Sequence, residues 1–267
     1  IRDLDIKLDL SPYYDDLQTF LNGITLIKEL SPRSRDYILS FGERLSSEIL
    51  TALLLKNSTA IRIDAQEIIK TDNSFCAARL LRDKTCVAIA KKLIPLLART
   101  DVVVVTGFIG ANENGDYTTF TRGGSDYTAA ILADLLNAKL LEIWTDVNGI
   151  MDADPRLISN AKTIPYLGYR EAAELSYFGA KVLHPQTIEP AVQKNIPVKV
   201  LNTFNHKNSG TTISTNAVKS VKSITIKKGA VIIAIYSTAM LEAKGFLAKI
   251  FSVFEKYEIA VDVVSTS

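Results

Sequence analysis

The chain has 267 residues, of which 47% are apolar and 22% are charged, and its formal net charge is +2 at pH 7. This composition is typical of a globular protein, and the length fits one large domain or a large domain with a small one. The 31 Lys and Arg residues and the 29 Asp and Glu residues are interspersed, so no basic stripe matches a nucleic-acid backbone. No apolar run approaches the ~20 residues of a membrane-spanning helix. Nucleic acid and membrane are therefore not expected as partners.

Cysteine content and the chain ends indicate the cellular setting. The two cysteines, Cys76 and Cys86, are too few for a disulfide framework in a chain of this size. We therefore expect a reducing, cytoplasmic location. Residues 1–10 do not resemble a targeting peptide. The chain begins with Ile1 and stops at Ser267 directly after a strand-like segment, so we expect both ends to be cuts in a longer polypeptide.

The first part of the chain is predicted to be mainly helical. Apolar residues recur at helical spacing over residues 11–38, and Ser31-Pro32 marks the start of a second helix. Residues 45–55 are apolar on more than one side, which predicts a buried helix. The alternation over residues 59–64 predicts a short strand.

Strand and helix patterns alternate in the middle of the chain. The β-branched run Val102–Val105 predicts a central strand that is buried on both faces of a parallel sheet. Residues 112–116 contain a turn signal and predict a hairpin. The pair Gly123-Gly124 then precedes a helical pattern over residues 127–137 and a strand pattern over residues 139–145. This order of elements is that of a βαβ unit.

The C-terminal part contains further strand patterns. Residues 196–201 predict a strand and residues 210–213 a last edge strand, and a polar linker follows. Residues 231–236 and 259–264 are strand-like on either side of a helical pattern over residues 245–257. This arrangement predicts a second, incomplete βαβ unit.

One glycine-rich turn carries a charge pattern suited to anions. Arg122 precedes Gly123 and Gly124, and Ser125 and Asp126 follow them. A glycine pair ahead of a helix brings backbone N–H groups close to an anion, and the helix N-terminus adds roughly half a positive charge. The arginine can bind a carboxylate or a phosphate through two N–H donors. The alternative is an ordinary capped turn in which Ser125 or Asp126 is the N-cap.

Polar residues also stand at the end of the following predicted strand. Thr145 and Asp146 lie at its carboxyl edge, where open α/β sheets bind ligands, and can meet a nucleotide there. The alternative is a turn in which Asp146 and Asn148 bond their own backbone. Arg156, just after Asp154-Pro155, lies either in an ordinary loop or in a loop that aims an arginine at phosphate.

The remaining reactive side chains narrow the chemistry. Lys181 lies in an apolar segment, where a lysine needs a negative partner, and a phosphate would serve. His184, next to Pro185, is interpreted as a structural histidine. The two histidines and two cysteines lack zinc-ligand spacing, and the sequence contains neither a nucleophile elbow nor a Walker loop. Hydrolase functions are therefore disfavoured.

Six motifs occur in the order of a known family. They are Phe41-Gly-Glu-Arg-Leu-Ser-Ser47, Thr106-Gly-Phe-Ile-Gly110, Thr119-Phe-Thr-Arg-Gly-Gly-Ser-Asp-Tyr-Thr-Ala129, Trp144-Thr-Asp-Val-Asn-Gly149, Asp154-Pro-Arg156 and Phe178-Gly-Ala-Lys-Val-Leu-His-Pro185. Together they resemble the aspartate kinases of the amino-acid kinase family, over nearly the whole chain. The tail Met240–Ser267 resembles the lysine-sensitive bacterial type.

The resemblance implies an α/β fold in two domains. A three-layer amino-acid-kinase sandwich with a mostly parallel central sheet would occupy residues 1–214. A linker and the start of an ACT (βαββαβ-like) regulatory domain would occupy residues 215–267. The family's Lys-Phe-Gly-Gly-Thr-Ser segment, which supplies a strand, a glycine loop and a phosphate-binding lysine, is not found ahead of Ile1. We therefore expect residues 1–267 alone to show no measurable kinase activity.

The implied reaction is ATP-dependent phosphorylation of the side-chain carboxylate of L-aspartate to 4-phospho-L-aspartate, the first step in aspartate-family amino-acid biosynthesis. ATP and Mg²⁺ are the implied cofactors. The acceptor is already a carboxylate and needs no general base, so the obstacle is repulsion between anions. Mg²⁺, lysines and backbone amides must neutralise the charge on the transferred group. This accounts for a site that is rich in Gly, Lys and Arg and has no catalytic His.

The resemblance assigns the site residues to three groups. The implied substrate-binding residues are Glu43 for the α-ammonium group, Arg122 for the α-carboxylate, and Gly123, Gly124 and Ser125. The implied catalytic residues are Asp126, which organises the phosphate-binding lysines, and Lys181, near the phosphates. The implied ATP-binding residues are Thr145, Asp146, Met151, Arg156 and Lys181. Relatives often carry Tyr where this chain has Met151, so an adenine contact by this side chain stays open.

The tail implies regulation by lysine. The implied allosteric residues are Met240, Ala243, Gly245, Phe246, Leu247, Val261 and Asp262. Asp262 is the candidate partner of the effector's ammonium group. The alternative is that these residues are only ACT core, and relatives can have Ser where this chain has Ala243. ACT modules usually pair across subunits, so a homodimer is expected.

Two other functions stay open. The nearest enzyme alternative is another amino-acid kinase, acting on glutamate or acetylglutamate, which the segment Phe41-Gly-Glu43 and the ACT-like tail disfavour. The alternative from a different class is a catalytically inactive amino-acid sensor, in which the kinase fold is a scaffold for the ACT module.

Overall fold

A computed structural model describes residues 6–178, 187–215, 223, 231–236, 244–259, 261 and 263–265. The helices are α1 (Ser11–Ile27), α2 (Pro32–Leu54), α3 (Ala65–Ile68), α4 (Arg82–Ala88), α5 (Ile94–Leu97), α6 (Gly124–Leu135), α7 (Tyr169–Phe178), α8 (Glu189–Gln193) and α9 (Phe246–Lys256), and a π-helical turn, Ile89–Leu93, joins α4 to α5. The strands are β1 (Ala60–Ile63), β2 (Val102–Val105), β3 (Ile109–Ala111), β4 (Tyr117–Thr119), β5 (Leu141–Thr145), β6 (Tyr166–Gly168), β7 (Val198–Asn202) and β8 (Thr211–Ser214). The chain divides into two compact units, Ile1–Ile226 and Lys227–Ser267.

The two N-terminal helices form as predicted, with a difference in burial. Helix α2 begins at Pro32, and the hydroxyl of Ser31 caps it by accepting a hydrogen bond from Ser34 N at 3.1 Å. The buried helix predicted over residues 45–55 is wrong, because that half of α2 has only Ser47 and Thr51 fully buried. One face packs on β1 and β2, and the other stays accessible.

The first parallel pair consists of β1 and β2. Strand β2 pairs in parallel with β1, with Ala60 opposite Val102 and Ile63 opposite Val105. Within the described residues β2 has no second neighbour, and Val104 is its only fully buried residue. The predicted central position of Val102–Val105, buried on both faces, is therefore not seen.

The predicted hairpin at residues 112–116 is confirmed. Strands β3 and β4 pair antiparallel, with Ala111 opposite Tyr117. Gly115 in the turn has φ of +81°, a left-handed conformation that glycine adopts without steric cost.

The second sheet has four strands in the order β5-β7-β8-β6. The pairs β5–β7 and β6–β8 are parallel and the pair β7–β8 is antiparallel, so the mostly parallel α/β architecture is confirmed. The edge strand predicted at residues 210–213 is wrong, since β8 lies between β7 and β6. The predicted βαβ unit around α6 is also wrong in its pairing, because β4 and β5 belong to different sheets.

Helix α6 contributes to two apolar cores. Ala130 and Ala133 pack in a core with Val198 of β7, whereas Ile131 packs in a second core with Ile109 of β3. A fully buried Val or Ile side chain contributes roughly 1.5–3 kcal/mol. Both cores therefore fix the direction of α6 and the position of its first residue.

In the Lys227–Ser267 unit, the described residues contain one helix. The helix predicted over residues 245–257 is confirmed as α9, whose N-cap, Gly245, has φ of +81°. Residues 231–236 are not in a strand, so the predicted ACT domain stays a prediction. None of the helices in the described parts of either unit is long and apolar enough to cross a membrane.

Candidate functional site

The turn Arg122–Asp126, which we call the glycine turn, connects β4 to α6. Gly123 is the N-cap of α6 and has φ of +78°, a left-handed conformation that strains other residues. No side chain caps α6, so the alternative in which Ser125 or Asp126 is the N-cap is wrong. The first N–H groups of α6 therefore stay available to a ligand.

The glycine turn packs closely against the loop that follows β2. A Cβ on Gly124 would lie 2.6 Å from Cδ2 of Phe108, and one on Gly107 would lie 2.9 Å from Cβ of Ser125. The Phe108 amide donates to Oγ1 of Thr128 at 3.1 Å, and the same hydroxyl donates to the Gly124 carbonyl at 3.0 Å. The backbone of the turn is thus held by close approach and by two hydrogen bonds.

A buried carboxylate ties α2 to the strand that enters the glycine turn. Asp36 of α2 is fully buried and accepts three hydrogen bonds. The donors are the Cys76 amide at 2.8 Å and the amide and hydroxyl of Thr119 at 2.9 and 2.6 Å. Because Thr119 ends β4, this carboxylate sets the position of α2 relative to the turn.

A cation in an aromatic cage holds the middle of α2. The guanidinium of Arg44 lies over the rings of Tyr13, Phe41 and Tyr117, with its Cζ 4.6–5.1 Å from their centroids. Cation–π contacts of this kind contribute about 0.5–2 kcal/mol each. Burial and the neighbouring Asp64 carboxylate raise the pKa of Tyr117. The residue before Arg44 is Glu43, so the cage fixes the helix turn that carries the predicted ammonium ligand.

Two predicted substrate residues, 82 positions apart, meet in the structure. The hydroxyl of Ser125 donates a hydrogen bond to Oε1 of Glu43 at 2.9 Å. The contact places a carboxylate next to the positive end of α6. The Glu43 carboxylate, which can bind an ammonium group, therefore lies next to the N-terminus of α6, which can bind an anion.

Arg122 and Gly124 line a cavity of about 470 Å³ beside the glycine turn. Arg79 and Arg82 lie on the same cavity wall, whereas Glu43 and Ser125 do not line it. The guanidinium of Arg82 is paired with the buried carboxylate of Asp134. Sequence analysis missed Arg79 and Arg82, because they lie 43 and 40 positions before Arg122 and belong to no recognisable motif.

Asp126 is half-buried in the first turn of α6. Loss of hydration on burial raises the pKa of this carboxyl group. Among the described residues it makes no hydrogen bond and no ion pair. Its predicted partner, Lys181, lies outside the described residues, as does His184.

The carboxyl ends of β5 and β7 form a second polar region, the β5–β7 edge, which comprises Thr145, Asp146 and residues 202–205. Thr145 is opposite Asn202 in the parallel pair, and its hydroxyl donates to Asp146 Oδ1 at 3.1 Å. Both predicted nucleotide ligands, Thr145 and Asp146, thus lie at one sheet edge. The alternative of a self-bonded turn is not seen for Asn148, whose side-chain oxygen instead accepts from Asn202 at 2.8 Å.

The other two predicted nucleotide residues in the described chain lie further along the same loop. Met151 pairs with Thr163 in a single antiparallel bridge. Arg156 is 80% exposed, and its side chain donates two hydrogen bonds to the carboxylate of Asp154 at 2.9–3.0 Å. A phosphate would have to compete with this carboxylate for the guanidinium, so the contact of Arg156 with ATP stays a prediction.

The predicted allosteric residues are only partly described. Gly245, Phe246 and Leu247 form the start of α9, and Val261 lies beyond its end. Met240, Ala243 and Asp262 lie outside the described residues. The predicted lysine site therefore stays a prediction.

Comparison with known proteins shows which family the chain matches. A family model described as the amino acid kinase family matches residues 6–202. The chain is 44% identical over 286 aligned residues to aspartokinase 1, chloroplastic, of Arabidopsis thaliana, covering 100% of this chain and 50% of that relative. It is 35% identical over 261 residues to lysine-sensitive aspartokinase 3 of Escherichia coli (strain K12), covering 95% of this chain and 58% of that relative.

A solved structure also matches. The crystal structure of E. coli aspartokinase III in complex with aspartate and ADP (R-state) superposes with a TM-score of 0.75 and 33% sequence identity, covering 96% of this chain and 59% of that chain. This chain therefore spans only 50–59% of the length of these matched proteins.

Proposed function

The chain belongs to the amino acid kinase family, and from this premise we propose that it transfers the γ-phosphoryl group of ATP to the side-chain carboxylate of L-aspartate. The products are 4-phospho-L-aspartate and ADP. The similarity to aspartokinases over 95–100% of the chain supports this choice of substrate. The bound ligands named for the matched E. coli structure, aspartate and ADP, support it further.

One observation carries the proposal, the hydrogen bond between Ser125 and Glu43. A free α-amino acid presents an ammonium group and a carboxylate on one carbon, so its site needs an anionic and a cationic partner close together. Glu43 supplies the anion. The N-terminus of α6 and the exposed guanidinium of Arg122 supply the positive charge.

The chemistry needs positioning and charge neutralisation more than it needs proton transfer. A carboxylate oxygen of aspartate attacks the γ-phosphorus, a new P–O bond forms, and the bond between that phosphorus and the β–γ bridging oxygen breaks. The bond electrons leave on ADP, and no proton has to be removed from the acceptor. The residues around the glycine turn, in this proposal, orient the amino acid so that its side chain faces the β5–β7 edge, where Thr145 and Asp146 bind the nucleotide.

Mg²⁺ is proposed as the cation that accompanies ATP. In the described part of the chain no three His, Cys, Asp or Glu side chains are grouped to hold a metal ion. Mg²⁺ keeps several water ligands and is commonly bound through nucleotide phosphates and one or two carboxylates. Asp126, half-buried and free of any described partner, is the carboxylate available to order cationic groups, including Lys181, around those phosphates.

The test is an acceptor assay with a matched pair of variants. It uses the natural full-length polypeptide that contains residues 1–267, with L-aspartate, L-glutamate and N-acetyl-L-glutamate as acceptors, and detects the acyl phosphate with hydroxylamine. We expect turnover with aspartate. Glu43→Gln should raise KM for aspartate roughly 10- to 100-fold, since a hydrogen bond to a charged group is worth about 1.5–3 kcal/mol. Glu29→Gln, an exposed glutamate just ahead of α2, should change nothing.

The same assay separates the alternatives. N-acetylglutamate has no ammonium group, so a preference for it, with no effect of Glu43→Gln, would replace the aspartate proposal by an acetylglutamate kinase. Absence of turnover with all three acceptors would favour the inactive amino-acid sensor.

Regulation and assembly form a second part of the proposal. We propose that residues 1–214 are the catalytic domain, that residues 215–267 contain a linker and the start of an ACT module, that lysine is the effector, and that the ACT modules pair in a homodimer. The name of the matched E. coli relative, a lysine-sensitive enzyme, supports the choice of effector. Calorimetry of the full-length protein with lysine, threonine and methionine tests it, and heat with threonine alone would refute it. A monomer in sedimentation would refute the dimer.

A further inference from the structure

Phe204 is a large apolar side chain that is exposed at a polar edge. Its side chain is 83% exposed, although burying a phenylalanine gains roughly 1.5–3 kcal/mol. Its sequence neighbours Thr203, Asn205 and His206 are polar and also exposed. The ring is thus a single flat apolar surface with polar surroundings, and it is too small for a protein-docking patch.

The backbone beneath this ring is fixed by amide side chains. Asn202 is buried; its side-chain oxygen accepts from the Phe204 amide at 2.8 Å, and its side-chain nitrogen donates to Oδ1 of Asn148 at 2.8 Å. Asn205 donates to the same Asn148 oxygen at 3.3 Å. Asparagines on both sides of Phe204 therefore attach its loop to the turn that follows β5. Because hydrogen bonds already hold this loop in place, binding a ligand to its ring costs less conformational entropy than binding to a ring on an unrestrained loop.

The position of the loop relates it to the nucleotide ligands proposed above. The Thr203 amide donates to the carbonyl of Thr145 at 2.8 Å, and Thr145 is paired with Asn202 in the sheet. Phe204 therefore lies two residues after Asn202, the last residue of β7, which is paired with Thr145 at the end of β5. Asp146 lies on the turn that follows β5.

We propose that the ring of Phe204 stacks on the adenine base of ATP and so contributes to nucleotide specificity. The inference rests on the proposed function, which places ATP at the β5–β7 edge. A heteroaromatic base is the occupant that fits, because it offers a flat π-face of matching size and polar edges for the surrounding amides and hydroxyls. The phosphates and the amino acid offer no such face.

The test compares two probes that differ in the base. Binding of ATP and of inorganic tripolyphosphate is measured by calorimetry on the full-length protein and on Phe204→Ala, Phe204→Leu and Phe204→Trp. Loss of a base–aromatic stack weakens binding roughly 5- to 150-fold. We expect Phe204→Ala to weaken ATP binding by a factor in this range and to leave tripolyphosphate binding unchanged. Phe204→Leu should fall between, and Phe204→Trp should bind ATP at least as tightly as the unsubstituted protein.

A matched control and the kinetics complete the design. Tyr166 is an exposed residue, 62% accessible, on β6. Strands β6 and β5 are the two outer strands of this sheet. Tyr166→Ala should leave both affinities unchanged. In the acceptor assay Phe204→Ala should raise KM for ATP and not KM for aspartate. Because Phe204 is exposed, the variant should keep the melting temperature of the parent.

The outcomes separate the inference from the proposed function. Equal ATP affinity for the parent and Phe204→Ala overturns the stacking inference and leaves the aspartate kinase proposal in place. Equal weakening of ATP and tripolyphosphate also overturns it, since the side chain would then act on the fold and not on the base. Failure of the unsubstituted full-length protein to bind ATP overturns the proposed function, and the inference with it.

Discussion

The glycine turn and the β5–β7 edge are both polar, but different forces hold them in place. At the glycine turn the backbone is fixed by shape, because Gly124 approaches Phe108 too closely for any side chain. At the β5–β7 edge the loops are fixed by amide hydrogen bonds centred on Asn202 and Asn148. The first region should therefore tolerate no added volume, and the second no loss of its buried central amide, Asn202.

The largest expected effect comes from adding one methyl group at the glycine turn. In Gly124→Ala the new Cβ would lie 2.6 Å from Cδ2 of Phe108 and 3.0 Å from Cβ of Phe120, so the start of α6 must shift. We expect a loss of about 1–3 kcal/mol in the free energy of unfolding. We also expect a fall of roughly 100-fold in kcat/KM, since a misplacement of ~1 Å in a positioning group has that effect.

Gly42→Ala is the matched control for this variant. Gly42 lies inside α2, one residue before Glu43, and a Cβ there would meet nothing within 4 Å. The substitution should stabilise the protein by about 0.5–1 kcal/mol, because alanine is the better helix former. Urea unfolding of both variants checks the pair, and equal stability changes would contradict a turn that is held by shape.

Loss of the central amide at the β5–β7 edge should have the next largest effect. Asn202→Ala removes the partner of the Phe204 amide and the shorter of the two hydrogen bonds to Asn148 Oδ1, and each such hydrogen bond contributes about 0.5–1.5 kcal/mol. Binding of ATP should weaken while KM for aspartate stays unchanged. Asn205→Ala removes only the exposed 3.3 Å bond and should cost less than about 0.5 kcal/mol. A larger effect for Asn205 would mean that Asn202 is not the centre of this region.

A double-mutant cycle measures the contact that joins α2 to the glycine turn. The variants are Glu43→Ala and Ser125→Ala, and we expect a coupling of about 0.5–1.5 kcal/mol in stability. Ser46 is the control, because its hydroxyl donates to the backbone carbonyl of Glu43, which Glu43→Ala retains. The cycle of Glu43 with Ser46 should therefore show no coupling, and a coupling as large as that with Ser125 would mean that the Glu43 side chain is not involved.

The two regions also differ in how far local sequence patterns predict them. The hairpin at residues 112–116 and the helix after Gly123-Gly124 are correct, because turn chemistry and helical spacing are local properties. The position of β8 between β7 and β6 is not local, so the pattern at residues 210–213 predicts the strand and not its neighbours. The same holds for β4 and β5, which flank one helix and lie in different sheets.

The residues that hold the candidate site in position are the part of the structure that the sequence predicts least well. Asp36 is fully buried and accepts three hydrogen bonds, whereas a charged residue in a helical pattern is normally assigned to the exposed face. The meeting of Glu43 with Ser125 follows from the family resemblance and not from spacing. Asn202 directly follows the strand predicted over residues 196–201 and is the last residue of β7. An amide at such a position is the one signal that could have indicated a bridge between two loops.

The smallest expected effect concerns Asp126, whose carboxyl group has no hydrogen-bond partner among the described residues. Burial raises the pKa of Asp126 above its ordinary value of 3.8, so its protonated form favours the folded state. That contribution is complete below pH 3.8 and is lost as the pH rises through the higher folded-state pKa. Asp126→Asn removes this penalty, and we expect a gain on the order of 0.5 kcal/mol at neutral pH after solvent screening.

The stability difference between Asp126→Asn and the parent isolates this group, because the other carboxylates titrate in both proteins. Urea unfolding is measured between pH 3 and 7, a range that extends from about one unit below the ordinary pKa of 3.8 to well above it. The difference in the free energy of unfolding should increase with pH and then level off. A difference that stays constant or decreases would mean that a cation already neutralises Asp126. An increase, together with lost turnover in the acceptor assay, would show that the carboxylate is kept at a cost to stability because the reaction needs its charge.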